Sequence, residues 1–406
     1  VHTRVTELHS PALTPAPGDL AELTSLRFFA ALIVLTYHYA ETFAPELRSA
    51  SGIIAKGYLG VDFFFVLSGF ILTHVYLDAA RDGRFSYADF LWARFARIYP
   101  LHLVTMAAAM VVLTIAFQLG HIAHDPVYLK VVLANAGLVH AWGVMDHFSL
   151  NAPSWSISAE WAAYLLFPVF LVLTRAGRPR PGLFLTIAIV VFLAAWQGAE
   201  RIFAKPLTEL TYDGGALRIL PSFLVGCALC TLAGRLQPAR ETTLIGLVSS
   251  SIGVLVLMHV AASDLLIIAA MAATILFAAL CARADDGDNT PWLAARPLVY
   301  LGEVSFAIYM THRVVETVLT QIIAPLLGWG AQSAGAMALL ALAATLLVSM
   351  ALYHTVERPA RTLLRRLPPS QWGGNWTLRR QTQHGSPADR RPPYDHAARN
   401  TPDHGA

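Results

Sequence analysis

The chain has 406 residues, 56% of them hydrophobic and only 14% charged, with a net charge of +3 and a mean hydropathy of +0.53. Soluble domains carry about a quarter charged residues, so this composition excludes an ordinary water-soluble fold and makes lipid the expected solvent. So small a net charge gives no ground for a nucleic-acid partner.

Residues 1–20 read as a polar, proline-containing arm without the basic-then-apolar layout of a cleaved leader. Apolar runs of span length then follow near 24–43, 58–78, 98–119, 155–174, 181–199, 217–235, 242–261, 263–282, 297–324 and 333–356. The segment 127–142 is shorter and carries Lys130, Asn135 and His140. Counting it as a span would leave Arg175, Arg178 and Arg180 on the outer side. Treating it as interfacial or re-entrant puts every basic loop inside, as the positive-inside rule prefers. The expectation is an all-α polytopic membrane protein of about ten transmembrane helices with both termini cytoplasmic. Its membrane domain covers 21–366, and the polar stretch 367–406 reads as a disordered cytoplasmic tail. No internal repeat is visible. Cys227, Cys230 and Cys281 sit in apolar runs and read as packing residues rather than a redox pair.

The first span, LRFFAALIVLTYH, places Arg27 and His38 on one helical face about 16 Å apart along the axis. Ionisable groups inside a membrane helix are costly and mark function by default. An imidazole titrates near neutrality and can take a proton from a hydroxyl. In the second span Asp62 lies toward the outer end, and Ser68 and Gly69 fall near the middle, where a small residue permits close helix approach. Arg94 and Arg97, in the loop that follows, present two guanidinium groups suited to phosphate. Glu160, entering the fourth span from the outer side, needs a partner, which would be an imidazole or a substrate hydroxyl. Ser305, Tyr309, His312 and Glu316 recur at helical spacing and form one polar face that must meet protein or water. Glu357 with Arg358 and Arg361 reads as an ion pair closing the last span. His121, His124 and Asp125 lack a third ligand at a suitable spacing, so no metal is expected.

Arg27-x10-His38, GVDFFFVLSGFIL at 60–72, RFARIYP at 94–100, PSWSISAEWAAYLLFP at 153–168, RILPSFLVG at 218–226, LGEVSFAIYMTH at 301–312 and HTVERPAR at 354–361 occur in order. Over roughly residues 20–366 this set resembles the membrane acyltransferase-3 family, whose members O-acylate surface sugars, lipids and macrolide-type antibiotics. The resemblance implies about ten helices, an acyl-CoA donor (acetyl-CoA most simply) reached from the cytoplasm, and transfer to a hydroxyl. It implies His38 as the catalytic base with Arg27 as its motif partner. It also implies Arg94 and Arg97 at the donor, and Ser68 and Gly69 as the SGF motif. Glu160 and His312 complete the candidate catalytic set. The implied acceptor is a sugar-containing or polyketide molecule, and the implied location is the cytoplasmic membrane of a bacterium. A transporter or flippase with buried His, Arg and Glu as coupling residues is the rival from another class, and a catalytically silent assembly protein is a third reading.

Overall fold

The computed structural model describes residues 20–283, 292–367 and 369. The arm at 1–20 and the tail at 367–406 fall almost wholly outside these residues, as does the acidic stretch holding Asp285, Asp286 and Asp288. All the regular elements of the described residues are helices. The longer ones are α1 (Ala21–Phe43), α2 (Gly60–Arg81), α3 (Tyr87–Gln118), α4 (Leu129–Ala136), α5 (Ser154–Leu165), α6 (Phe167–Gly177) and α7 (Pro181–Phe203). Then come α8 (Gly215–Ala233), α9 (Arg240–His259), α10 (Asp264–Arg283), α11 (Arg296–Val318), α12 (Ala334–Leu352) and α13 (Arg358–Arg365).

Eight helical spans among the described residues are long and apolar enough to cross a membrane, and the bent pair α5–α6 can supply a ninth. Each of the ten expected spans coincides with one of these or with α11. The polar stripe of α11 faces inward, with Ser305 and His312 fully buried and Tyr309 and Glu316 nearly so. The expected span 155–174 is two helices meeting at 60°. Pro168 stands in the first turn of α6, where it lacks the N–H that a continuous helix would need. The segment at 127–142 contributes only the 8-residue α4. Such a helix is about 12 Å long, well short of a bilayer core.

One expectation is corrected here. Arg94 and Arg97 do not lie in a loop. Helix α3 begins at Tyr87, where the Ser86 hydroxyl caps the Asp89 N–H at 3.3 Å, so both arginines occupy its opening turns.

Lipid tails are as apolar as leucine, so burial alone does not drive these helices together; close backbone approach does. Gly69 and Gly226 face each other across the α2–α8 crossing. A Cβ on Gly69 would stand 2.1 Å from the Phe223 carbonyl oxygen, and one on Gly226 would stand 2.0 Å from that of Val66. Gly302 brings α11 equally close to α1 at Thr24. These crossings place α1, α2, α8 and α11 around one polar interior.

The two ends of the bundle differ. At one end lie Arg94, Arg97, Arg178, Arg235 and the arginines of α13. At the other end Lys56, Tyr58 and Thr208 converge on Asp264 at 2.6, 2.8 and 2.6 Å.

Candidate active site

Two chambers lie in line within the bundle. The first, of about 120 Å³, opens among Arg27 of α1, Ser68 of α2, Arg94 and Arg97 of α3, and Glu160 of α5. Arg27 makes no hydrogen bond or ion pair with any described residue. Arg94 leaves a buried Nε without a partner and carries its guanidinium 5.9 Å from the centre of the Tyr76 ring. Arg97 pairs with Glu357, whose side chain is 1% exposed. Glu160 accepts a hydrogen bond from Ser68 Oγ at 2.6 Å. Three guanidinium groups therefore meet two carboxylates, and the enclosed surplus of positive charge suits an anionic or strongly polar ligand.

The second chamber, of about 550 Å³, is lined by His38, Glu41, Arg48, Tyr58, Lys205 and Arg313, among others. The His38 and His312 rings stack with centroids 5.2 Å apart and planes 28° from parallel. His312 Nδ1 lies 2.7 Å from the Tyr309 carbonyl. A carbonyl only accepts, so Nδ1 carries the proton of the neutral ring and Nε2 keeps its lone pair. That Nε2 is buried and has no partner. His38 Nδ1 stands 3.7 Å from Glu41 Oε2, too far for a hydrogen bond. Glu41 is engaged instead by Arg48 at 2.7 Å, and Arg48 also donates to the Tyr37 hydroxyl at 2.9 Å. Beneath the chamber, Arg218 grips Asp62 through two bonds of 3.1 and 2.6 Å. Both are almost fully buried, and the guanidinium lies 5.1 Å from the Trp155 ring.

Val61 and Tyr309 line both chambers. The Tyr309 hydroxyl accepts from Ser156 Oγ at 2.8 Å and donates to the Pro153 carbonyl at 3.1 Å. The ring is thereby held between the two spaces while its own carbonyl sets the His312 tautomer.

The sequence-predicted residues therefore divide into two groups. Arg27, Ser68, Arg94, Arg97 and Glu160 share the cationic chamber, and His38 lines the other, with His312 fully buried behind it and outside the lining. Glu160 meets a serine hydroxyl rather than an imidazole. Gly69 faces α8 and lies outside the chamber lining, unlike its neighbour Ser68. Glu357 is paired across the bundle with Arg97 rather than with Arg358 or Arg361 on its own helix. Glu41 went unnoticed although it lies one turn beyond His38. Arg48 and Lys205 carried no local signal at all.

The sequence matches the pattern of the acyltransferase domain family over residues 20–354. The chain belongs to this family. It is a membrane acyltransferase, and the ordered motifs around the two chambers are those of an O-acyltransferase. Among its relatives is the acyltransferase MdmB of Streptomyces mycarofaciens, 32% identical over 383 residues, which cover 88% of this chain and 95% of MdmB. The putative peptidoglycan O-acetyltransferase YrhL of Bacillus subtilis is 27% identical over 366 residues, or 84% of this acyltransferase and 54% of YrhL. The peptidoglycan O-acetyltransferase OatA of Listeria monocytogenes is 26% identical over 365 residues, 84% of this chain and 55% of OatA. The acyltransferase thus spans about half the length of the latter two. No solved structure matches it.

Proposed function

We propose that this acyltransferase moves a short acyl group, acetyl in the simplest case, from acyl-CoA to a hydroxyl of a sugar-containing acceptor. The observation that carries this reading is the pairing of a cationic chamber with a histidine chamber that meet at Tyr309 and Val61. Arg94 and Arg97 bind donor phosphate, and Arg27 steadies the thioester carbonyl as negative charge develops on its oxygen. The roughly 16 Å along α1 between Arg27 and His38 favours this role over tuning of the imidazole. At an effective dielectric of about 20, a charge that far away changes the histidine by only about 1 kcal/mol.

In this mechanism His38 takes the proton of the acceptor hydroxyl, and the oxygen attacks the thioester carbonyl carbon. The tetrahedral intermediate expels the CoA thiolate, which takes up the proton held by His38 and leaves as the thiol, and an O-acyl ester forms. His312, held by the Tyr309 carbonyl, positions the stacked His38 ring from behind. The Ser68–Glu160 bond orients the donor side. The arginine-rich end faces the cytoplasm, where acyl-CoA resides, so both termini are cytoplasmic by the positive-inside rule. The saccharide polymer named in the two peptidoglycan O-acetyltransferase relatives supports a sugar acceptor.

The test is CoA release by purified protein with acetyl-CoA and candidate sugar acceptors. Acceptor-dependent release, lost in His38→Ala and shifted to higher donor KM in Arg94→Ala, is the expected result. Release that persists in His38→Ala removes that residue as base. A transporter would release no CoA.

A further inference from the structure

On the face of α2 opposite Ser68 lies a separate cavity of about 260 Å³, lined by His74, Asp78, Arg178, Arg235 and Arg283. The three arginines come from three different places: the turn after α6, the turn after α8 and the last residue of α10. None has a carboxylate partner among the described residues. The one acid in the lining, Asp78, is already paired with Arg81 at 3.0 Å. Two of the guanidinium groups are fastened by backbone carbonyls. Arg235 Nη2 reaches the Arg178 carbonyl at 3.5 Å, and Arg283 Nη1 donates to that of Ala233.

Arg178 is half-buried, and Arg235 and Arg283 are exposed at the rim of the cavity. Here each fastened group spends one of its five N–H donors on the protein and leaves the others for the cavity. A cluster of unneutralised guanidinium groups around an interhelical hollow fits an anion with several acceptor oxygens, and phosphate is the group that matches the guanidinium fork. Basic pockets between membrane helices take lipid headgroups in this way.

We infer that this cavity is a second, non-catalytic site that binds a phosphate group through Arg178, Arg235 and Arg283. The phosphate is carried either by an anionic phospholipid headgroup or by a free phosphate compound. The site lies across α2 from the cationic chamber, so its occupancy is separable from turnover.

Native mass spectrometry of the detergent-solubilised full chain with phosphatidylglycerol tests the lipid source, with phosphatidylcholine as control. Calorimetric titration with inorganic pyrophosphate tests the free source. Binding in either arm, weakened about tenfold or more in Arg178→Gln/Arg283→Gln and partly restored in Arg178→Lys/Arg283→Lys, supports the site and names its source. Arg235→Gln removes a donor at little structural cost and should weaken the same arm, which keeps the test valid if the double variant does not fold. No binding in either arm, or binding indifferent to all these substitutions, overturns the proposal. Binding gained only when Asp285, Asp286 and Asp288 are changed to Asn also overturns it, by assigning the arginines to the chain's own carboxylates.

Discussion

Tyr309 is the larger of the two side chains that line both chambers, and its substitutions should act in two distinct ways. Tyr309→Phe keeps the ring and removes the hydroxyl. Ser156 Oγ retains its own contact with the Pro153 carbonyl at 3.1 Å, so the net loss is one satisfied hydrogen bond, about 1 kcal/mol. Tyr309→Ala removes the ring from a site that is 6% exposed. Aromatic truncations of this kind cost about 3–5 kcal/mol, and here the loss also joins a cavity of about 120 Å³ to one of about 550 Å³. The assay is CoA release from acetyl-CoA, measured with and without acceptor. Tyr309→Phe should keep a wild-type ratio of transfer to hydrolysis. Tyr309→Ala should raise acceptor-independent release several-fold, because water in the larger chamber would then reach the proposed thioester donor. A folded Tyr309→Ala protein with an unchanged ratio would refute the partition.

Other outcomes follow from single contacts. Glu357→Gln should lower the unfolding midpoint in detergent, because it leaves Arg97 (12% exposed) without its counter-charge; breaking such a pair costs about 3–5 kcal/mol. Gly69→Ala should destabilise by about 1–3 kcal/mol through overpacking against α8. Gly253→Ala is its control, since a Cβ there meets nothing within 4 Å and the helix should gain about 0.5–1 kcal/mol. In the 204–214 connection burial raises the Asp213 carboxyl, but the Lys205 bond and the Thr211 N–H outweigh it and leave its pKa below the ordinary value. Its stabilising contribution is therefore present above the unfolded carboxylate pKa of about 4 and lost as pH falls through the lower folded value. Hydrogen exchange at 211–214 should accelerate in that acid window, and Asp213→Asn should show no such transition.

Apolar runs revealed nearly all of the helices, because a membrane span must satisfy its backbone within itself and its composition says so. The break at Pro168 was missed although its cause is local: hydropathy averages over a proline that the backbone cannot. The mid-membrane position of Gly69 suggested close approach, yet the partner Gly226 stands more than 150 residues away and only the fold joins them. The site was legible as residue types and illegible as pairs. His38, Arg27, Arg94 and His312 stand out because charge and imidazole are rare in lipid. Nothing in the spacing tells that Glu160 goes to Ser68 or that Glu357 crosses to Arg97. Those choices are made by helix packing, which brings together groups the chain holds far apart.

The meeting of two chambers at Tyr309 and Val61 bears on what a bilayer enzyme must accomplish. A hydrocarbon core is about 30 Å deep, and carrying either a nucleotide thioester or a glycoside through it would require a transport cycle. In the proposed mechanism the donor and the acceptor occupy the two chambers that meet at Tyr309, and neither makes that journey. On that reading only the acyl group passes from the donor side to the acceptor side.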